Sequence, residues 1–73
     1  MLHERIEISP GVMFGKPVIR GTRIPVELIL RKLAAGQNPD EILRQHPRLA
    51  PEDILATQAY AADVVAGEDI ILG

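Results

Sequence analysis

Apolar and polar positions along this chain change their period twice. Between Glu4 and Ile8 they alternate, with Ile6 and Ile8 on one side and Arg5 and Glu7 on the other, which is the period of a half-buried strand. Ser9-Pro10-Gly11 ends the run, and Val12-Met13-Phe14 is expected to continue the apolar face before Gly15 turns the chain into a short β-branched strand at Val18-Ile19. From Val26 the period lengthens. Val26, Ile29, Leu30 and Leu33 recur at i, i+3, i+4 and i+7 and predict a helix over 25–35, closed by a left-handed cap at Gly36. Leu28 points away from that stripe, so it either packs under the hairpin or meets a partner. A second helix is expected over 39–46. Asn38-Pro39-Asp40-Glu41 supplies a cap, a proline in the first turn, acidic groups at the positive helix end and a glutamate placed to close a capping box. Ile42 and Leu43 face the core and Pro47 stops the helix. A third helix over 51–66 opens at Pro51-Glu52-Asp53 and ends before Gly67, leaving 67–73 as a tail with the apolar triplet Ile70-Ile71-Leu72. The pattern gives a mainly α domain over 1–73: a β-hairpin within 3–20, then three helices.

The third helix is apolar nearly all round. Leu55, Ala59, Ala62 and Ala66 make a small-residue face, Ile54, Ala61 and Val65 a neighbouring one, and Tyr60 with Val64 the far side, while Gln58 interrupts the arc and is expected to satisfy a buried backbone group or else to mark an altered interface. A chain of 73 residues without cysteine cannot bury all of that surface alone. A second copy or another protein is therefore expected to cover part of it. A homodimer in which the hairpins pair edge to edge is one solution.

Composition narrows the function. The absence of cysteine excludes disulfides and Cys-based zinc sites. His3 and His46 are the only histidines, so no metal or other cofactor is expected, and His46 near the end of the second helix reads as a dipole partner. The first residues lack a basic start followed by an apolar core, and no apolar run approaches the roughly 20 residues that span a bilayer. No membrane association and a cytoplasmic location are the resulting expectations. Charge is split along the chain: residues 1–48 hold all eight Lys and Arg against five carboxylates, +3, and residues 49–73 hold five carboxylates and no base, −5, together the net −2. The first half suits phosphate and the second a basic protein.

The densest set of constraints is Gly15-Lys16-Pro17-Val18-Ile19-Arg20-Gly21-Thr22-Arg23-Ile24-Pro25-Val26. Two prolines fix φ and two glycines permit turns that a Cβ would forbid, so a strand, a reversal and a helix start are expected, with Lys16, Arg20 and Arg23 projecting from a rigid loop. GKPVIRGTRIPV, followed by Pro39-Asp40-Glu41-Ile42 and Leu49-Ala50-Pro51-Glu52-Asp53-Ile54, resembles domain-of-unknown-function family 433 over roughly residues 5–62. These are small prokaryotic proteins regarded as VapB-type antitoxins of PIN-like toxins. The resemblance implies a homeodomain-like or winged-helix-like domain behind a β-hairpin. Ala50 departs from the family pattern, which commonly has a capping threonine there; its loss should cost on the order of 1 kcal/mol locally. His46 and Gln58 stand where tyrosine and leucine are usual.

Helices two and three have helix-turn-helix spacing. Yet the first turn of the third helix is Pro51-Glu52-Asp53, whose carboxylates repel phosphate, so the usual insertion of that helix into the major groove does not suit this chain. DNA contact is better assigned to Lys16, Arg20, Thr22 and Arg23, with Arg31, Lys32, Arg44 or Arg48 as further phosphate partners. The alternative is that Arg20 and Arg23 only pin the loop, through carbonyls or through Glu7 and Glu27. No Ser/His/Asp or Cys/His set and no P-loop are present, and the carboxylates mostly occupy helix first turns, so no enzymatic activity is expected. The combined expectation is an antitoxin that neutralises a PIN-like ribonuclease by binding it and autoregulates its operon through operator DNA. Tyr60, Val64, Ile70, Ile71 and Leu72 are the residues expected to meet the toxin. A dimeric DNA-binding regulator without a toxin and an oligomeric structural module remain as alternatives.

Overall fold

The computed structural model describes residues 3–67. It places two short strands, β1 (Ile6–Glu7) and β2 (Val18–Ile19), ahead of three helices, α1 (Val26–Ala34), α2 (Pro39–Gln45) and α3 (Pro51–Ala66). The strands pair antiparallel with Ile6 opposite Ile19 and Glu7 opposite Val18. β2 is also bonded on its other side. Ile19 N–H donates to the Ile24 carbonyl and Val26 N–H to that of Pro17, and Val18 bridges Pro25. The segment entering α1 therefore folds back along β2, which leaves Val18 and Ile19 fully enclosed.

α1 and α2 follow the sequence signals closely because those signals act within a few residues. Asn38 Oδ1 accepts from Glu41 N–H and Glu41 Oε1 accepts from Asn38 N–H, the complete capping box. Gly36 follows α1 at φ 95°, the left-handed position anticipated for it. Ile6, Ile19, Val26, Ile29, Ile42, Leu49 and Ile54 form the core, with Leu30, Leu33, Leu43 and Tyr60 packed around it.

Three expectations are corrected. Val12-Met13-Phe14 does not continue the strand's apolar face: Met13 and Phe14 adopt positive φ, 50° and 57°, and both side chains are exposed. Gln58 is exposed and so satisfies no buried group. α3, apolar on most sides by sequence, turns inward the line of Asp53, Ile54 and Thr57, all buried, continued by Tyr60, Ala61 and Val64, all half-buried. Tyr60 and Val64 therefore lie on the domain-facing side of the helix, while Leu55 and Val65 face solvent.

The missing cap at Ala50 is partly offset. Asp53 Oδ2 accepts from Ala50 N–H at 2.8 Å, so half of a capping box survives without a side-chain oxygen at position 50. The other Asp53 oxygen accepts from Arg5 Nη1 at 2.9 Å, which ties the start of α3 to the residue before β1. Among the described residues no helix is long and apolar enough to cross a membrane.

Candidate docking groove and basic loop

The loop after β2 is held by its own side chains. Gly21 has φ 81°, a conformation that only glycine adopts without strain. Thr22 Oγ1 donates to the Ile19 carbonyl at 2.7 Å and accepts from Ile24 N–H at 3.0 Å, closing the reversal. Arg20 reaches back across the hairpin, its Nε donating to the Glu4 carbonyl at 2.6 Å and its Nη2 to that of Ile6. Arg48, from the α2–α3 connection, donates to the Gly21 carbonyl at 2.9 Å.

Of the four residues assigned to DNA, three thus have intramolecular work. Arg20 and Thr22 brace the loop through backbone carbonyls. Lys16 pairs with Glu27 at 2.9 Å on the exposed face of α1. The Glu27 carboxyl is held below its ordinary range, first by the hydrogen bond and charge of Lys16, then by Arg31, whose Nε lies 3.4 Å away. Arg23 differs: it is exposed and makes no hydrogen bond or ion pair among the described residues. It lines a shallow cleft with Arg48, Thr22 and Glu7, so one loop guanidinium and one from the α2–α3 connection face the same open space.

A second concavity is almost wholly apolar. Val26 and Leu30 of α1, Pro17 before β2, and Tyr60, Ala61, Val64 and Val65 of α3 enclose a groove of about 280 Å³, with the Lys16–Glu27 pair on its edge. Tyr60 is also packed edge-on by His3, with ring centroids 5.2 Å apart. His3 Nε2 approaches Asp63 Oδ2 to 2.8 Å without the alignment of a hydrogen bond. The two α3 residues expected to meet a partner, Tyr60 and Val64, lie together in this groove. Ile70, Ile71 and Leu72 lie outside the described residues. Sequence reasoning missed Val26, Leu30 and Pro17 as groove walls; their apolar spacing announced core, and nothing local announced that this part of the core is open.

Comparison with known proteins matches this arrangement to one family. The profile of "Protein of unknown function (DUF433)" matches residues 6–61, which takes in both strands and all but the end of α3. The chain belongs to the DUF433 family. A crystal structure of a DUF433 member from Anabaena variabilis superposes with a TM-score of 0.77 at 37% identity, covering 81% of this chain and 58% of that one. Uncharacterized protein y4eO of Sinorhizobium fredii is 35% identical over 71 residues, 96% of this chain and 32% of that protein. An uncharacterized protein of Archaeoglobus fulgidus is 57% identical over 28 residues, 38% of this chain and 78% of that one. The chain thus spans only about a third of the Sinorhizobium relative. The structure and its likeness to the Anabaena DUF433 member establish the fold: a mainly helical unit with a two-stranded antiparallel hairpin ahead of the helices.

Proposed function

We propose that this DUF433 chain is a non-catalytic binding module, an antitoxin that neutralises a PIN-like ribonuclease by docking it on the groove between α1 and α3. The observation that carries the reading is the groove itself. An open, nearly all-apolar recess on a domain this small is surface that a partner would desolvate. Tyr60 gives it an aromatic anchor of the kind that concentrates binding energy. Glu52 is exposed at the start of α3 and Asp63 is half-buried beside His3, with no base on the helix, which suits a basic protein surface; Asp53 is buried against Arg5 and takes no part.

Operon autoregulation is the second half of the reading, through a homodimer with a homeodomain-like disposition of α2 and α3. Here the support is narrower than the charge count suggested. Arg23 faces a cleft that Arg48 also lines, with exposed Arg44 nearby in sequence, and Arg48, like Lys16 and Arg20, is engaged in a folding contact. DNA contact in this reading therefore runs through Arg23 rather than through α3.

Growth of a host expressing the neighbouring open reading frame, alone and together with this chain, tests the antitoxin role. Arrest relieved by co-expression is the expected result. Val64→Asp should weaken complex formation by at least about tenfold, or 1.4 kcal/mol. No relief would overturn the antitoxin reading, and relief with unweakened binding by Val64→Asp would move the docking surface off the groove.

A further inference from the structure

Among the described residues, the most exposed large apolar side chain lies in the turn that leads to Lys16 and Pro17, two residues lining the groove. Phe14 is 99% exposed. It follows Met13 in the left-handed region, and Gly15 continues that conformation at φ 82°. Holding a non-glycine residue there costs roughly 1–2 kcal/mol, and Phe14 gains no burial within the chain to offset it. Two and three residues further on, Lys16 and Pro17 line the apolar groove together with Tyr60 and Val64. Phe14 itself is not among the lining residues. The chain therefore carries both an apolar projection and an apolar recess, and the projection does not line the recess of its own copy.

A two-fold axis needs just such a pairing. When the projection of one copy enters the recess of a second, symmetry places the second projection in the first recess, and the assembly closes at two copies. The recess is large enough: it measures about 280 Å³, and a cavity of roughly 150 Å³ already accepts benzene. Its edge carries one acid and one base, Glu27 and Lys16, so a second copy brings both signs to it and no net repulsion.

We propose that the groove binds Phe14 of a second copy, forming an exchange dimer that a partner protein must open to dock. The proposal rests on the groove being a protein-docking site and not on that partner being a toxin. Each phenyl removes roughly 150–250 Å² from water. With the surfaces they cover, two of them reach about 600–1,000 Å², below the 1,200–2,000 Å² of stable complexes. The dimer is accordingly weak and reversible, as a resting state that yields to a partner has to be.

Sedimentation of the purified full chain between about 1 µM and 1 mM tests the dimer. The wild type should pass from monomer to dimer within that range, and Phe14→Ala should raise the dissociation constant by at least tenfold with an unchanged circular-dichroism melt of the monomer. Because the chain has no native cysteine, the contact itself can be trapped. A mixture of Phe14→Cys and Val65→Cys, the latter on the groove wall and 87% exposed, should give oxidised heterodimer at least tenfold above either variant alone. A wild type that stays monomeric, Phe14→Ala that dimerises like the wild type, or Phe14→Cys that cross-links to itself as well as to Val65→Cys would each overturn the proposal. None of these results alters the growth assay, so failure of the exchange dimer and failure of the groove as a partner site are read separately.

Discussion

The two turns that flank β2 are built from opposite materials. After the strand, glycine takes the left-handed position at Gly21, Thr22 closes the reversal with its hydroxyl, and Arg20 and Arg48 bind carbonyls on either side. Before the strand, Met13 and Phe14 take left-handed positions that suit glycine, and an unburied phenyl stands above them. One turn minimises its own free energy. The other closes through backbone bonds from Gly15 N–H to the Val12 carbonyl and from Lys16 N–H to that of Met13, but its strained phenylalanine gains no burial among the described residues. Charge and chemistry mislead here. The basic loop has the look of a binding surface, yet most of it is structural, whereas the plain Val12-Met13-Phe14 run holds the side chain best placed to reach out.

The contrast is most exposed to test at Arg20. Arg20→Ala removes two bonds that fasten the chain before and within β1, and should lower stability by about 2 kcal/mol, or the melting temperature by roughly 10 °C for a domain of this size. Arg20→Lys should rescue little, since a single ammonium cannot reproduce two donors in fixed geometry. An unchanged melt for Arg20→Ala would return that residue to the set of surface ligands. Phe14→Gly should act in the opposite direction, raising the melting temperature of the monomer at low concentration by an amount equivalent to about 1 kcal/mol as the left-handed strain is relieved. A loss of stability instead would mean that Phe14 is a folding residue.

Arg23→Ala should change stability by no more than about 0.5 kcal/mol, while reducing the salt dependence of any operator binding by about one counterion. Equal salt slopes would remove Arg23 from the DNA surface. The smallest effect belongs to Lys16–Glu27. Because the Glu27 carboxyl titrates below its ordinary value in the folded chain, the pair's stabilisation is present above the unfolded value and lost as pH falls through the folded one. Glu27→Gln should therefore flatten the acid limb of the stability curve slightly and lower the neutral plateau by the same small amount, leaving stability at the lowest pH unchanged, as befits an exposed pair.

Much of the fold was legible because its signals are local. The Asn38–Glu41 box, Pro39 and Pro51 at helix starts, and Gly36 and Gly67 just past helix ends each act through neighbours three or four residues away, so helix limits came within a residue or so of those observed. The candidate site was legible only in part. Tyr60 and Val64 could be singled out as apolar surface in excess of what a small domain can cover, but not assigned to the side of α3 that faces α1. A helix that is apolar on most faces has no unique inward face until a neighbour selects one, and here Asp53 helps to select it through Arg5.

By itself, then, the sequence determined where elements begin and end, the left-handed glycines and the division of charge, because these depend on backbone sterics and on residue identity. Only the tertiary structure decided which cations are consumed by carbonyls, which face of α3 is covered, and that Phe14 points to solvent while an apolar groove lies open between α1 and α3. Those outcomes depend on contacts between residues as distant as Arg5 and Asp53, 48 positions apart, and no local signal carries the geometry that brings such partners together.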